Sequence, residues 1–225
     1  MFNHEDRLNL LYRDIGLTKK LEYIHSALKE RFPFIARIAA AIYDPETDLL
    51  KTFVHSSDGD EPLTHYQAKL NESQSLREVL EKGRPRVVND LSIFANAGKE
   101  RARRVSQQGY QASYTMPMYS YGNFFGFLFF NSYEESLFTE DNLRQIDPFG
   151  HLISLTIIHE LFSLQILLAT VKTARDMAYI RDHETGTHLD RMSRYARLIA
   201  SKVADKFHLS DEYIENIFIF SPLHD

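Results

Sequence analysis

The sequence predicts an α+β protein: an antiparallel sheet flanked by helices, then a long helix, then a short all-α segment. Three observations carry this. Runs 34–43, 49–55, 112–119 and 124–131 have strand length, apolar or alternating character, and turn residues at their ends. From Thr139 to Val171 apolar or small residues recur in steps of three and four. Beyond residue 187 helical spacing continues between polar caps.

Taken in order, Leu8 to Arg31 reads as a helix, because Leu10, Leu11, Ile15, Leu21, Ile24 and Leu28 recur near helical spacing until Phe32-Pro33 ends it. Phe34 to Tyr43 and Leu49 to His55 read as a strand pair joined by the turn Asp44-Pro45-Glu46-Thr47-Asp48. Residues 56–66 read as polar loop. Ser73 to Glu81 reads as a short helix closed by Gly83, Arg86-Val87-Val88 as a short strand, and Lys99 to Gln108 as another short helix. Ala112–Tyr119 and Phe124–Asn131 flank Tyr121-Gly122-Asn123 as a hairpin. Simple alternation puts Phe125, Phe127 and Phe129 on one side of it and Phe124, Leu128 and Phe130 on the other, so both faces are expected to be covered.

The long helix starts at Thr139, an N-cap with Glu140 and Asp141 behind it. Its stripe is Leu143, Ile146, Gly150, Ile153, Ile157, Leu161, Leu164, Leu168 and Val171, a heptad pattern with one stutter, and Pro148 sits early in it. Packing on the helix's own domain suits Ile153 and Ile157. The narrow stripe from Leu161 to Val171 favours a seam with a second copy, hence a homodimer.

Bulk properties bound the function. The 225 residues suit one large or two small domains, and 44% hydrophobic with 25% charged residues is ordinary for a globular chain. A net charge of −5 argues against a nucleic-acid binder or a polybasic membrane anchor. The absence of cysteine excludes disulfides, thiolate metal sites and a thioether-linked chromophore. The N-terminus lacks a signal-peptide pattern, so a cytoplasmic location is expected. Leu152 to Val171 approaches membrane-span length, but His159, Glu160 and Gln165 inside it argue against a span.

The element order and the aromatic hairpin resemble a GAF domain over residues 8–160. That resemblance implies a GAF-like antiparallel sheet flanked by helices, with a C-terminal signalling helix over residues 139–180. It further implies either a small-molecule ligand, whose identity the sequence leaves unknown, or dimerisation alone. The Asn-Lys…Phe…Asp-Glu signature of cyclic-nucleotide-binding members has no match; Asn71-Glu72-Ser73 does not supply it.

The motif that carries chemistry lies at the end. Glu184 and His188 are four apart and share a face on a continuous helix. Gly186 is expected to mark a break, with Thr187 capping a new helix to about Phe207 that buries Leu189, Met192, Ala196, Ile199 and Val203. A last helix starts at Ser210 and ends at Ser221-Pro222, ahead of His224-Asp225. Imidazole and carboxylate together suit iron, manganese or a similar divalent ion with water on open positions. Two such metals support phosphodiester cleavage.

Glu184-Thr185-Gly186-Thr187-His188-Leu189-Asp190-Arg191 is similar to the E-T-G-x-H-x-x-R string of the HD-GYP family, and Ser221-Pro222-Leu223-His224-Asp225 to its S-P-(apolar)-H-D. The resemblance covers residues 172–225 and implies an incomplete all-α HD-type segment. Glu184, His188, His224 and Asp225 would be metal ligands of a cyclic di-GMP phosphodiesterase. The family's later Lys, paired His and G-Y-P segment are missing, so the segment is expected to be inactive by itself, with Ile214, Ile217 and Phe218 left exposed. Two functions stand: a GAF sensor regulating such a hydrolase, or a dimeric small-ligand sensor or adaptor with a vestigial HD remnant.

Blander readings attach elsewhere. His55, His65, His151 and His159 read as surface or packing residues, and His208 as a helix-ending one. Lys99, Arg101, Arg103 and Arg104 form a basic run that reads as a solvated face before a steering group. No phosphate-cradling loop, nucleophile elbow or catalytic triad is present.

Overall fold

The computed structural model describes residues 6–58, 67–94, 109–178 and 185–221. It divides into two units, Met1–Thr156 and Ile157–Asp225.

In the first unit, α1 (Leu17–Lys29) buries Leu17, Leu21, Ile24, His25 and Leu28. The expected single helix from Leu8 is broken. Asn9–Tyr12 forms one turn of 3-10 helix, and Gly16 takes an extended conformation as the N-cap of α1. β1 (Arg37–Asp44) and β2 (Leu49–Ser57) form the expected pair. β3 (Gln67–Lys69) is a strand the sequence reading missed, and it pairs with the start of β2. α2 (Gln74–Lys82) ends on Gly83 in the left-handed conformation, as expected. β4 (Arg86–Val88) follows, then β5 (Ala112–Ser120) and β6 (Asn123–Ser132). Tyr121 and Gly122 both have positive φ, the requirement of a tight two-residue hairpin turn. The helix expected at 99–108, with its basic run, lies outside the described residues.

The six strands lie in the order β3-β2-β1-β6-β5-β4, every neighbouring pair antiparallel. Residues two apart share a face, so the registers sort the side chains. One face carries Ile38, Ala40, Val54, Leu128, Phe130, Tyr114 and Met116. It meets α1, where His25 Nδ1 lies 2.8 Å from Ser56 Oγ, and α3 (Glu140–Ala178), where the Tyr114 hydroxyl donates to Asp147 at 2.5 Å. A Cβ on Gly150 would land on the Met116 side chain, so the absence of a side chain there lets α3 lie close to the sheet. Burying residues such as Ile146 and Ile153 contributes about 1.5–3 kcal/mol each.

The other face meets α2. Leu76 and Val79 cluster there with Ala41, Leu50, Phe127 and Phe129, and Phe124 packs on the same cluster. Phe124 was expected opposite. The register shift between Met118 and Tyr119 inserts an extra residue, Phe125, and returns Phe124 to the side of Phe127, ring centroids 4.9 Å apart.

α3 begins where expected, the Thr139 hydroxyl accepting from the Asn142 amide at 3.3 Å. The stripe reading divides. Ile153, Ile157 and Leu161 are buried within the single chain. The side chains of Leu164, Leu168 and Val171 lie outside the described residues. Leu155, Phe162 and Ile166, spaced seven and four, are exposed instead.

In the second unit, α4 (Thr185–Phe207) includes Gly186, so the expected break at that residue is not where the helix stops; its described start is Thr185. α5 (Asp211–Phe220) is capped by Ser210, whose hydroxyl accepts from the Tyr213 amide at 3.1 Å. The two helices pack through Ala200, Ala204 and Ile214, with Leu209 and Ile217 beside them. Arg197 pairs with Glu215 at 3.2 Å and lies 4.0 Å from the Phe218 ring centroid. This corrects two expectations. Ile214 is buried, with Ile217 and Phe218 partly covered, and the inward face of α4 is Ser193, Arg197, Ala200 and Ala204. Small residues let α5 approach, which turns Ile199 outward beside Tyr195 and Leu198.

Candidate functional site

The α2 face of the sheet is apolar at one end and polar at the other. Rows across the strands show the change. Ala41 lies beside Phe127 and Pro117, the row nearest α2's apolar residues. The next row is Ala39, Phe129, Thr115 and Arg86. The last is Arg37, Asn131, Ser113 and Val88. Arg37, Asn131, Ser113 and Thr115 are all buried. A sheet face this polar and this buried is uncommon unless its groups have partners.

Some partners are internal. The Asn131 amide donates to Ser113 Oγ at 3.2 Å. Arg86 Nη1 donates to the Ser75 carbonyl at 3.1 Å, tying β4 to the first turn of α2. Burial holds the Arg86 guanidinium pKa below its ordinary value, and Glu78 pulls it partly back. Thr115 Oγ1, in a residue only 1% exposed, and Arg86 Nε have no hydrogen-bond partner among the described residues. Thr115 and Arg86 face each other across β5 and β4.

The rim beside Arg37 is aromatic. Tyr110 stacks on Tyr133, ring centroids 4.8 Å apart, next to Gly109 at φ +82°. Burial and a hydrogen bond to Tyr133 push the Tyr110 hydroxyl well above its usual pKa, while Arg37 pulls it down. Tyr110 also packs with Ala36, Val88 and Leu91.

Two tethers join these strands to α3. Asn89, directly after β4, bonds both ways with Phe138: its Nδ2 donates to the Phe138 carbonyl and its Oδ1 accepts from the Phe138 amide, each at 3.2 Å. Phe138 precedes the α3 cap. Tyr114, between Ser113 and Thr115, reaches Asp147 on α3 through the opposite face.

The site residues read from the sequence lie elsewhere. His188 is in the first turn of α4, exposed. Glu184, His224 and Asp225 lie outside the described residues, so the four are not brought together in what is described. Among the described residues no three His, Asp or Glu side chains converge as a metal site. The polar rows were missed. Their signal was present in β5, where Ser113 and Thr115 alternate with Tyr114, Met116 and Met118.

A family model for the GAF domain matches residues 17–157. Among solved structures, the GAF domain of a phosphoenolpyruvate-protein phosphotransferase from Coxiella burnetii is similar at 17% identity, covering 68% of this chain and 89% of that one, TM-score 0.54. A phycocyanobilin-bound GAF domain from a cyanobacterial phytochrome is similar at 13% identity, covering 72% and 98%, TM-score 0.53. A GAF domain of the corresponding phosphotransferase from Acinetobacter has 13% identity, covering 68% and 88%, TM-score 0.51. These likenesses concern the fold. No curated protein matches the chain.

Proposed function

The chain belongs to the GAF domain family, and from that premise we propose that its first unit is a signalling sensor that binds a small polar molecule on the α2 face of the sheet. The observation that carries this is the polar end of that face, buried Arg37, Asn131, Ser113 and Thr115 with half-buried Arg86 beside them, the Thr115 hydroxyl lacking a partner among the described residues. A protein that placed these groups only for packing would gain by making them apolar. One structural relative is bilin-bound; the absence of cysteine here restricts any ligand of this chain to binding without a thioether link. The signal passes to α3 through Asn89–Phe138 and Tyr114–Asp147.

For the output, the strings 184–191 and 221–225 support a helical segment of HD-GYP type acting on cyclic di-GMP in the complete domain. Glu184, His188, His224 and Asp225 would hold a divalent ion, iron or manganese, whose chemistry is to activate water at the phosphodiester. The donor set of imidazole and carboxylate fits such ions, and His188 is accessible at the start of α4. Tyr195, Leu198 and Ile199 give α4 an outward apolar face that further helices of a bundle would cover. The second reading is a dimeric sensor or adaptor without catalysis, favoured by the exposed stripe Leu155, Phe162 and Ile166 on α3.

A thermal-shift panel of small metabolites tests the sensor. At least one should raise Tm saturably in the wild type, and Asn131→Ala should weaken that response. A panel without any response counts against the reading. Incubation of this chain with cyclic di-GMP and manganese should give no linear product, because the segment is expected to be inactive by itself; linear product that is lost in His188→Ala would overturn that and favour the hydrolase.

A further inference from the structure

We infer that the sensor's ligand is acidic, and that its carboxylate or phosphate group is held between Arg86 and Thr115. The inference rests on the binding face proposed above and names the chemistry of its occupant.

Three observations converge on these two residues. Arg86 on β4 and Thr115 on β5 are directly opposed in the antiparallel register, so their side chains leave the same face side by side. Each carries a buried polar atom without a partner among the described residues, Nε in one case and Oγ1 in the other. An N–H and an O–H presented together match two oxygens of one acidic group, the guanidinium supplying charge and the hydroxyl a second donor. The bond from Arg86 Nη1 to the Ser75 carbonyl fixes the guanidinium without using Nε.

Charge bookkeeping agrees. A half-buried guanidinium is costly without a counterion. Among the described residues no carboxylate forms an ion pair with Arg86; Glu78 acts on it through space only. Arg37 lies three strand spacings away, about 14 Å between backbones, whereas Arg86 and Thr115 stand on adjacent strands and form the more compact pair for one small anion. The acid end of the ligand is therefore set at β4 and β5. The remainder extends over Phe129 toward Asn131 and Ser113, which stand in the neighbouring row.

The experiment is a thermal-shift titration of the full chain with inorganic phosphate in one arm and succinate in the other, against chloride at matched ionic strength. Wild type should show a saturable rise in Tm in at least one arm, and the responding arm identifies phosphate or carboxylate. Thr115→Val and Arg86→Met should each weaken half-saturation by about tenfold or more. Thr115→Val removes no packing volume, so it controls for a fold that Arg86→Met disturbs. A response equal in wild type and Thr115→Val, or no saturable response in either arm, overturns the inference. A neutral molecule from the metabolite panel that binds wild type and both variants alike would also overturn it while leaving the sensor reading intact. Failure of the panel as well would remove both.

Discussion

Leaving the Thr115 hydroxyl buried without a partner costs about 1–3 kcal/mol. In ligand-free protein, Thr115→Val is therefore expected to leave Tm unchanged or raise it by about 2–8 °C. A clear fall on calorimetry would mean that the hydroxyl has a structural role. His25 is a different buried polar residue, satisfied on both sides. Its Nε2 donates to the Ile35 carbonyl at 2.9 Å, and its Nδ1 accepts from Ser56. Burial lowers its pKa below 6.5, against the raising effects of the Ile35 bond and Asp58. The unfolded chain then takes up a proton first on acidification. The stability from neutral His25 is present in full above pH 6.5 and is lost as pH falls through the depressed value. Urea midpoints between about pH 7.5 and 5.5 should fall more steeply in wild type than in His25→Gln; parallel slopes would contradict this. A Cβ on Gly126 would strike the Ala41 carbonyl, so Gly126→Ala should cost several kcal/mol, roughly 2–4, by forcing β1 and β6 apart. At this scale the sequence showed the alternation of Ser113 and Thr115 in β5. Arg86 gave no such signal, because its place beside Thr115 comes from a pairing of residues distant in sequence.

In the proposed sensor the elements joined to the sheet would carry the response. Asn89 holds Phe138 through two hydrogen bonds immediately before the Thr139 cap, so β4 and the start of α3 move together. Asn89→Ala should lower stability by about 1–3 kcal/mol and raise hydrogen exchange in residues 139–146. Unchanged exchange there would show that the tether carries nothing. On α3, exposed Leu155, Phe162 and Ile166 follow the seven-and-four spacing of a two-helix seam. Phe162→Glu with Ile166→Glu should convert a dimer to a monomer by light scattering; a wild-type monomer, or a variant that stays dimeric, would remove the seam. The sequence reading found the helix, its cap and its period. It read Ile153 and Ile157 as packing on their own domain and placed the seam on Leu161 to Val171. Leu161 is buried within the chain, and the side chains of Leu164, Leu168 and Val171 lie outside the described residues. Periodicity identifies an apolar face without saying what covers it. The same ambiguity turned α4: Leu189, Met192, Ala196, Ile199 and Val203 are more apolar, yet Ala200 and Ala204 face α5, since close approach favours small residues.

For the whole molecule, turn residues and strand periods were enough to give the α+β class, the hairpin and the GAF resemblance, which the family match over residues 17–157 bears out. β3 was too short to register as a strand, and Phe124 changed sides because a bulge is invisible to simple alternation. The central claim is that the polar end of the α2 face holds a small acidic ligand. Native mass spectrometry of the full chain, purified without denaturation, tests it most directly. A small acidic molecule bound to wild type and absent from Arg86→Met and Thr115→Val is the expected result; a molecule retained equally by all three proteins would contradict it.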